Sequence, residues 1–368
     1  MRRLLITGGA GFIGTNFVCY WIQKHPGDFV VVLDAVTYAG KRENLDPVAS
    51  HPNFKFVHGN ILDRELVTTL VTEYSLDTIV HFAAESHVDR SIVAPDNFIE
   101  TNVVGTHNLL KTASSVWSKR ANGFAGCRFH NVSTDEVYGS LGPTDPGFTE
   151  TAPYAPNSPY AASKAAADHL VRAYHNTYGL PVTISNCSNN YGPYQFPEKL
   201  IPLMLINALN GKKLPLYGDG KNIRDWLYVE DHCRALELVL ERGRVGETYN
   251  IGGGNERSNI QIVTRICRLV DEFFTQDERL RGRFPNCPAA RGEKTETLIS
   301  FVTDRPGHDR RYSINTDRVR RELGYIPAET LDSGLVKTIN WYLENEPWWR
   351  SLMQNDYREW IRRQYGRE

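Results

Sequence analysis

The chain opens with an apolar run, Arg2-Arg3-Leu4-Leu5-Ile6-Thr7, that breaks into Gly8-Gly9-Ala10-Gly11-Phe12-Ile13-Gly14 and resumes as a helical pattern through Trp21. Gly9, Gly11 and Gly14 satisfy the spacing G-x-G-x-x-G. Glycines at a strand-to-helix turn permit a tight reversal, let backbone approach a pyrophosphate, and let helix and strand pack closely. The helix start then offers unpaired N–H groups to phosphate. A second strand, Phe29 to Leu33, ends at Asp34, twenty residues after Gly14. An acid at that spacing suits an adenosine ribose and repels a 2′-phosphate, so the cofactor expected is NAD rather than NADP.

Strands and helices then alternate. A strand at Phe54 to Val57 leads to Gly59-Asn60-Ile61-Leu62-Asp63, where Asp63 is expected to border the adenine. Another, Thr78 to Ala84, ends in Glu85-Ser86-His87, and its Ala83 and Ala84 are small enough for a cofactor to lie across that edge. A long helix is expected from Asp96 to Trp117, a strand from Cys127 to Val132, and a strand from Pro181 to Cys187. This rhythm implies an α/β fold, a doubly wound parallel Rossmann sheet. Beyond residue 188 the alternation weakens and Pro and Gly become denser. We therefore expect an NAD-binding domain over 1–187 and a smaller C-terminal substrate-binding lobe over 188–225 and 253–368. The helix Val229 to Arg242 and strand Thr248 to Gly252 place 226–252 back in the first domain. Residues 275–297 read as a polar loop, and the tail with Trp341, Trp348, Trp349 and Trp360 as packed helix. No internal repeat is evident.

Composition narrows the function. With 42 basic against 43 acidic residues the net charge is −1, so there is no basic field to attract nucleic acid or an anionic membrane. An anionic ligand must be held by locally placed Arg and Lys. Six scattered cysteines without a C-x-x-C pair suggest free thiols in a reducing compartment, and no metal site is expected. No leader peptide or membrane-spanning run is recognisable, which points to the cytoplasm.

The chemistry concentrates at Ser133-Thr134-Asp135-Glu136-Val137-Tyr138-Gly139, after a strand. In open parallel sheets, ligands bind outside the strands' C-terminal edges. Taken alone, Asp135 and Glu136 could equally cap a turn. Neighbours on an extended strand point to opposite faces, so both can serve one substrate only if the strand ends near Thr134. Downstream, Tyr160 and Lys164 lie four apart on one helical face. An ammonium there favours the phenolate, which makes Tyr160 a candidate base for an alcohol proton. Asp304-Arg305-Pro306-Gly307-His308-Asp309-Arg310-Arg311 gathers cations whose forks, with Arg224, suit diphosphate oxygens.

T-G-G-A-G-F-I-G, S-T-D-E-V-Y-G and Y-A-A-S-K together resemble the extended short-chain dehydrogenase/reductase superfamily. Within it, the Thr-Asp-Glu triplet, H-F-A-A-E-S-H-V-D-R-S, N-N-Y-G-P-Y-Q-F-P-E-K-L-I-P, I-R-D-W-L-Y-V-E-D-H and D-R-P-G-H-D-R-R-Y resemble the dTDP-glucose 4,6-dehydratase family. The Asp-Glu pair discriminates, because related epimerases and decarboxylases carry non-acidic residues there. The likeness spans essentially the whole chain; the connection from Gly139 to Tyr160 looks short for the family.

The resemblance implies an NAD-dependent lyase acting on a nucleotide-diphosphate sugar, dTDP-glucose, and a homodimer. It assigns catalysis to Thr134, Asp135, Glu136, Tyr160 and Lys164. Tyr160 would take the 4-OH proton, Lys164 hold phenolate and ribose, and Thr134 bond O4. Glu136 would remove the C5 proton and Asp135 protonate the departing 6-OH. Cofactor contacts fall on Gly8, Gly11, Phe12, Ile13 and Gly14, on Asp34, Thr37, Ile61 and Asp63, and on Ala83, Ala84, Ser86, Thr101 and Asn190, besides Tyr160 and Lys164. Substrate contacts fall on Ser86, Thr134, Asn189, Lys199 and Leu200, on Pro215, Tyr217, Arg224 and Asn259, and on Asp304, Arg305 and His308. The alternatives are a nucleotide-sugar 4-epimerase or decarboxylase of the superfamily, or a non-catalytic dinucleotide-binding protein, which would commonly lack the intact Tyr-Lys pair. The nucleobase and the downstream deoxysugar are not fixed by any residue.

Overall fold

The fold is described from a computed structural model, and the residues described are 1–353. Trp360 lies outside them. Six strands come first: β1 Arg3–Thr7, β2 Phe29–Asp34, β3 Phe54–His58, β4 Thr78–His81, β5 Arg128–Thr134 and β6 Val182–Cys187. Six follow: β7 Asn189–Tyr191, β8 Leu214–Tyr217, β9 Ile223–Tyr228, β10 Thr248–Ile251, β11 Glu256–Ser258 and β12 Ile299–Val302.

Seven of them form one sheet in the order β10-β6-β5-β4-β1-β2-β3. Every pairing in it is parallel, down to Thr248↔Ile184 at the β10 edge. The side-chain period of two explains why near-continuous apolar runs suit this sheet. Leu4, Ile6, Val30 and Val32 pack into one core with Phe17 and Trp21 of the helix Phe12–Lys24. Leu5, Val31 and Leu33 fall on the other face, against Val67, Leu109 and Trp117. Strands buried on both faces need apolar residues at every position, not alternation. The chain leaves β1 toward β3 and then crosses to β4, so the strand order reverses between β1 and β4. That reversal opens a crevice at the strands' C-terminal ends.

The remaining strands build smaller sheets, β11-β9-β7 and β12-β8, over a third core. Met204, Leu205, Ile266, Leu335 and Trp349 meet there, drawn from the helices Leu200–Leu209, Asn259–Gln276, Leu331–Glu344 and Glu346–Leu352. Only Ser188 separates β6 from β7, so the chain passes from one sheet to the other directly at the crevice.

Two elements differ from the sequence reading. The helix expected over Asp96 to Trp117 is α over Asp96–Phe98, widens into a π-helix at Ile99–Gly105, and returns to α at Thr106–Trp117. Residues 275–297 are not a plain loop. They carry the helix Arg279–Arg283 and 3₁₀ turns at Pro288–Arg291 and Thr295–Leu298, and they bury Leu280, Phe284 and Cys287. Anchors spaced that irregularly match neither the helical nor the strand period. Among the described residues all six cysteines are free, and no helix is long and apolar enough to cross a membrane.

Candidate active site

The glycine turn is a cradle that side chains would fill. A Cβ on Gly8, whose φ is +71°, would lie 2.6 Å from the Ala83 nitrogen; on Gly14 it would lie 2.2 Å from the Gly8 oxygen. Gly11, Phe12, Ile13 and Gly14 line the cleft at the start of the helix Phe12–Lys24. Asp34, at the end of β2, closes the cradle's flank. Its Oδ2 accepts from Ala10 N (2.8 Å) and its Oδ1 from Val36 N (2.8 Å). Each oxygen keeps a lone pair, as hydroxyl donors of a ribose require. Burial pushes the Asp34 carboxyl up, against those two N–H donors. These residues fit a dinucleotide without a 2′-phosphate.

Thr37, Ile61, Ala83, Ala84, Ser86, Thr101 and Asn190 line the same cleft. Asp63 does not: it caps the helix Arg64–Glu73, accepting from Leu66 N at 3.0 Å. The sequence could not separate these roles, since an Asp just before a helix serves either purpose.

At the end of β5 the backbone leaves the sheet. Thr134 is still extended (φ −136°, ψ 152°), and Asp135–Tyr138 is a 3₁₀ turn that ends at Gly139, φ +90°. Thr134 Oγ1 accepts from Glu136 N (3.3 Å). The turn puts Asp135 and Glu136 on one cleft, both lining it with Thr134. Their surroundings differ. Asp135 is 2% exposed, and burial, then the charge of Glu136, push its carboxyl well up. Its Oδ2 is buried without a hydrogen-bond partner among the described residues. Burial also raises Glu136, but Arg305, Arg224 and Lys199 oppose the shift. Both carboxyls are thus raised, Asp135 well above its ordinary value and Glu136 against three opposing cations.

The helix Pro159–Tyr178 starts from Ser158, whose Oγ accepts from Ala161 N (3.1 Å), with Pro159 at its first position. It carries Tyr160 and Lys164 into the cleft, both buried. Lys164 Nζ donates to Val132 O (2.8 Å), which fixes the ammonium against β5. The phenol is pushed well up by burial and by the charge of Glu136, while its hydrogen bond with Thr134 pulls the other way. In the protein by itself burial and the Glu136 carboxylate dominate.

Asn189 lines the cleft, and Asn190 Oδ1 meets His232 Nδ1 at 2.9 Å. Lys199 Nζ donates to Ser86 O (2.9 Å), tying the start of the helix Leu200–Leu209 to the segment after β4. Arg305 Nη1 donates to Asp89 Oδ1 (2.8 Å), and Tyr217 OH donates to Asp89 Oδ2 (3.2 Å). His308 Nδ1 meets Asp304 Oδ1 at 2.6 Å, and its ring stands edge-on to Tyr217. Arg224 is buried, donates to Asp309 O (3.0 Å) and lies 4.2 Å above the Tyr312 ring. Of the predicted substrate contacts, Leu200, Pro215, Tyr217, Arg224, Asn259, Asp304, Arg305 and His308 do not line the main cleft.

Sequence reasoning missed two residues that hold this site. Asn102, on the π-helix, clamps the loop after β4 by accepting from Glu85 N and donating to Glu85 O, both at 2.9 Å. A π turn has no sequence period to betray it. Asp89 holds Arg305 and Tyr217, partners 216 and 128 residues away, so no local spacing marks it.

Residues 5–338 match the family model described as GDP-mannose 4,6 dehydratase. The chain is 54% identical over 359 residues to a dTDP-glucose 4,6-dehydratase of Neisseria meningitidis serogroup B, covering 97% of this chain and 98% of that protein. A dTDP-glucose 4,6-dehydratase structure from Bacillus anthracis str. Ames in complex with NAD is 46% identical with a TM-score of 0.82, over 96% of this chain and 100% of that one. DesIV, a dTDP-glucose 4,6-dehydratase from Streptomyces venezuelae with NAD and TYD bound, is 47% identical with a TM-score of 0.83, over 95% and 99%. Similarity of this extent over whole chains, on top of a Thr-Asp-Glu strand end facing a Tyr-Lys helix, means that the chain belongs to the dTDP-glucose 4,6-dehydratase family.

Proposed function

We propose that the protein converts dTDP-glucose to dTDP-4-keto-6-deoxyglucose, as a lyase that uses NAD catalytically. The observation that carries this reading is the turn at Thr134, which sets two carboxyls of unlike environment beside Tyr160. An epimerase needs no such pair.

Bound NAD would supply reversible hydride acceptance at the sugar. The cradle of Gly8 to Gly14 and Asp34 holds it, and Lys164 orients it. Tyr160 accepts the 4-OH proton while Thr134 bonds the oxygen that becomes the ketone. The ketone acidifies C5–H. Glu136 then removes that proton, Asp135 gives its own to the 6-OH, and water leaves. A proton returns to C5 as hydride reaches C6, and the proton that Tyr160 took offsets, through solvent, the one that Asp135 gave, so the sugar loses one water and nothing is consumed. Lys199, Arg224 and Arg305 offset the substrate's diphosphate, a task for placed cations in a chain of net charge −1.

A cytoplasmic homodimer completes the reading. Free cysteines support a reducing compartment. Exposed Ile99, Val104 and Tyr178, on helical segments within residues 1–187, support a helical dimer face. Incubation with dTDP-glucose, followed by alkali, tests the activity through the chromophore of the 4-keto product. Its absence while the protein retains NAD would contradict the proposal.

A further inference from the structure

The helix that carries Tyr160 and Lys164 continues the same face every fourth residue with Asp168 and Arg172. Asp168 is fully buried, and three donors reach it. Asn131 Nδ2 donates to Oδ1 (2.8 Å), Ser133 Oγ to Oδ2 (2.8 Å) and Tyr154 OH to Oδ2 (3.0 Å). Asn131 and Ser133 are alternate residues of β5, on the face turned to this helix, and Ser133 immediately precedes Thr134. Lys164 bonds the same strand through Val132 O. Arg172 Nη2 donates to Tyr154 OH (2.7 Å), which also accepts from Asn186 Nδ2 of β6 (3.0 Å).

Burying a carboxylate is costly unless donors compensate it, and here β5 and the segment before the helix supply three. We propose that Asp168 is a positioning residue for this reaction: it locks the strand end bearing Thr134, Asp135 and Glu136 onto the helix face bearing Tyr160 and Lys164, with its carboxylate one helical turn from the Lys164 amine.

The charges around Lys164 agree. Burial pulls its ammonium down, and Asp168 heads the influences that hold it up. Two other groups face it. Cys187 of β6 is a thiol pushed up to about 12, and His81 of β4 an imidazole held at about 3, so both are neutral. Burial raises Asp168 itself, while Lys164, Arg172, Ser133 and Tyr154 draw it back. Tyr138, beyond the strand end, and Tyr154 are both phenols pushed up by burial and stay neutral.

This inference rests on the dehydratase reading, which wild-type turnover tests separately; only differences between variants bear on Asp168. In Asp168→Asn the shape is kept and the charge removed. Lys164 then loses its proton more easily, and the alkaline limb of the turnover profile moves to lower pH by about one unit. That is about a fivefold loss of rate at the wild type's own midpoint, approaching about tenfold above it. The titration of Lys164 Cε, followed by isotope-edited NMR, moves down in parallel. Asp168→Glu keeps the charge, so its limb stays at the wild-type position even as the displaced carboxylate lowers kcat. An Asp168→Asn limb and Lys164 titration unmoved from wild type would overturn the proposal. Should Asp168→Asn fail to fold, a displaced limb in Asp168→Glu would overturn it equally.

Discussion

Replacing Asp135 with Asn separates the two halves of the reaction. The substitution keeps the side chain's shape and removes its transferable proton. Proton donation by a placed acid contributes about 10²- to 10⁴-fold. At 2% exposure bulk water has no route to replace the donor, so we expect a loss in the middle of that range or beyond, about 10³-fold. That corresponds to about 4 kcal/mol of activation free energy. The loss falls on elimination alone, because Tyr160, Lys164 and Thr134 still serve the first oxidation. Rapid mixing with dTDP-glucose should then show reduced-nicotinamide absorbance rising and persisting, with little 4-keto-6-deoxy product. Stability should move the opposite way. Asp135's folded pKa lies above its unfolded value, so the wild type loses stability as pH rises from the unfolded pKa through the folded one. Asp135→Asn escapes that loss and should be the more stable protein at neutral and alkaline pH in urea titrations. Normal product at the wild-type rate, or no persistent absorbance with oxidation intact, would refute the acid assignment.

Further outcomes follow from the same geometry. Tyr160→Phe should abolish even the first hydride transfer, leaving no absorbance change on mixing with substrate; a sizeable burst would count against Tyr160 as the base. Gly14→Ala sets a Cβ 2.2 Å from the Gly8 oxygen, a backbone atom that cannot swing away. It should cost about 1–3 kcal/mol and strip NAD from the purified protein, measured as nucleotide per protomer. His81, His130 and His232 are buried and held at about 3, below the model-compound value of 6.5. Their contribution is complete above pH 6.5 and is lost as pH falls toward 3, because the unfolded chain binds the protons first. Each group supplies up to about 1.4 kcal/mol per pH unit, so urea midpoints should fall steeply between pH 6.5 and 5. Midpoints flat across that range would contradict the neutral burial of these rings.

Much of this site was legible because its parts carry local constraints. The glycine turn, Asp34 and the Tyr160–Lys164 spacing each express one turn of backbone, so a single sequence displays them. The Thr134 turn was legible as a demand, since two adjacent carboxyls cannot share a ligand from an extended strand. What escaped depended on distance or on aperiodic backbone. Asp89 finds its partners across the chain, and Asn102 works from a π turn. The segment 275–297 failed as a loop because Leu280, Phe284 and Cys287 anchor it without a period.

The central claim is that hydride leaves C4 and returns to C6 within one site. Turnover of dTDP-glucose deuterated at C4 tests it most directly. The account predicts deuterium in the C6 methyl group of the 4-keto product, with C5 taking its hydrogen from solvent. Label retained at C4, or washed out entirely, would contradict it.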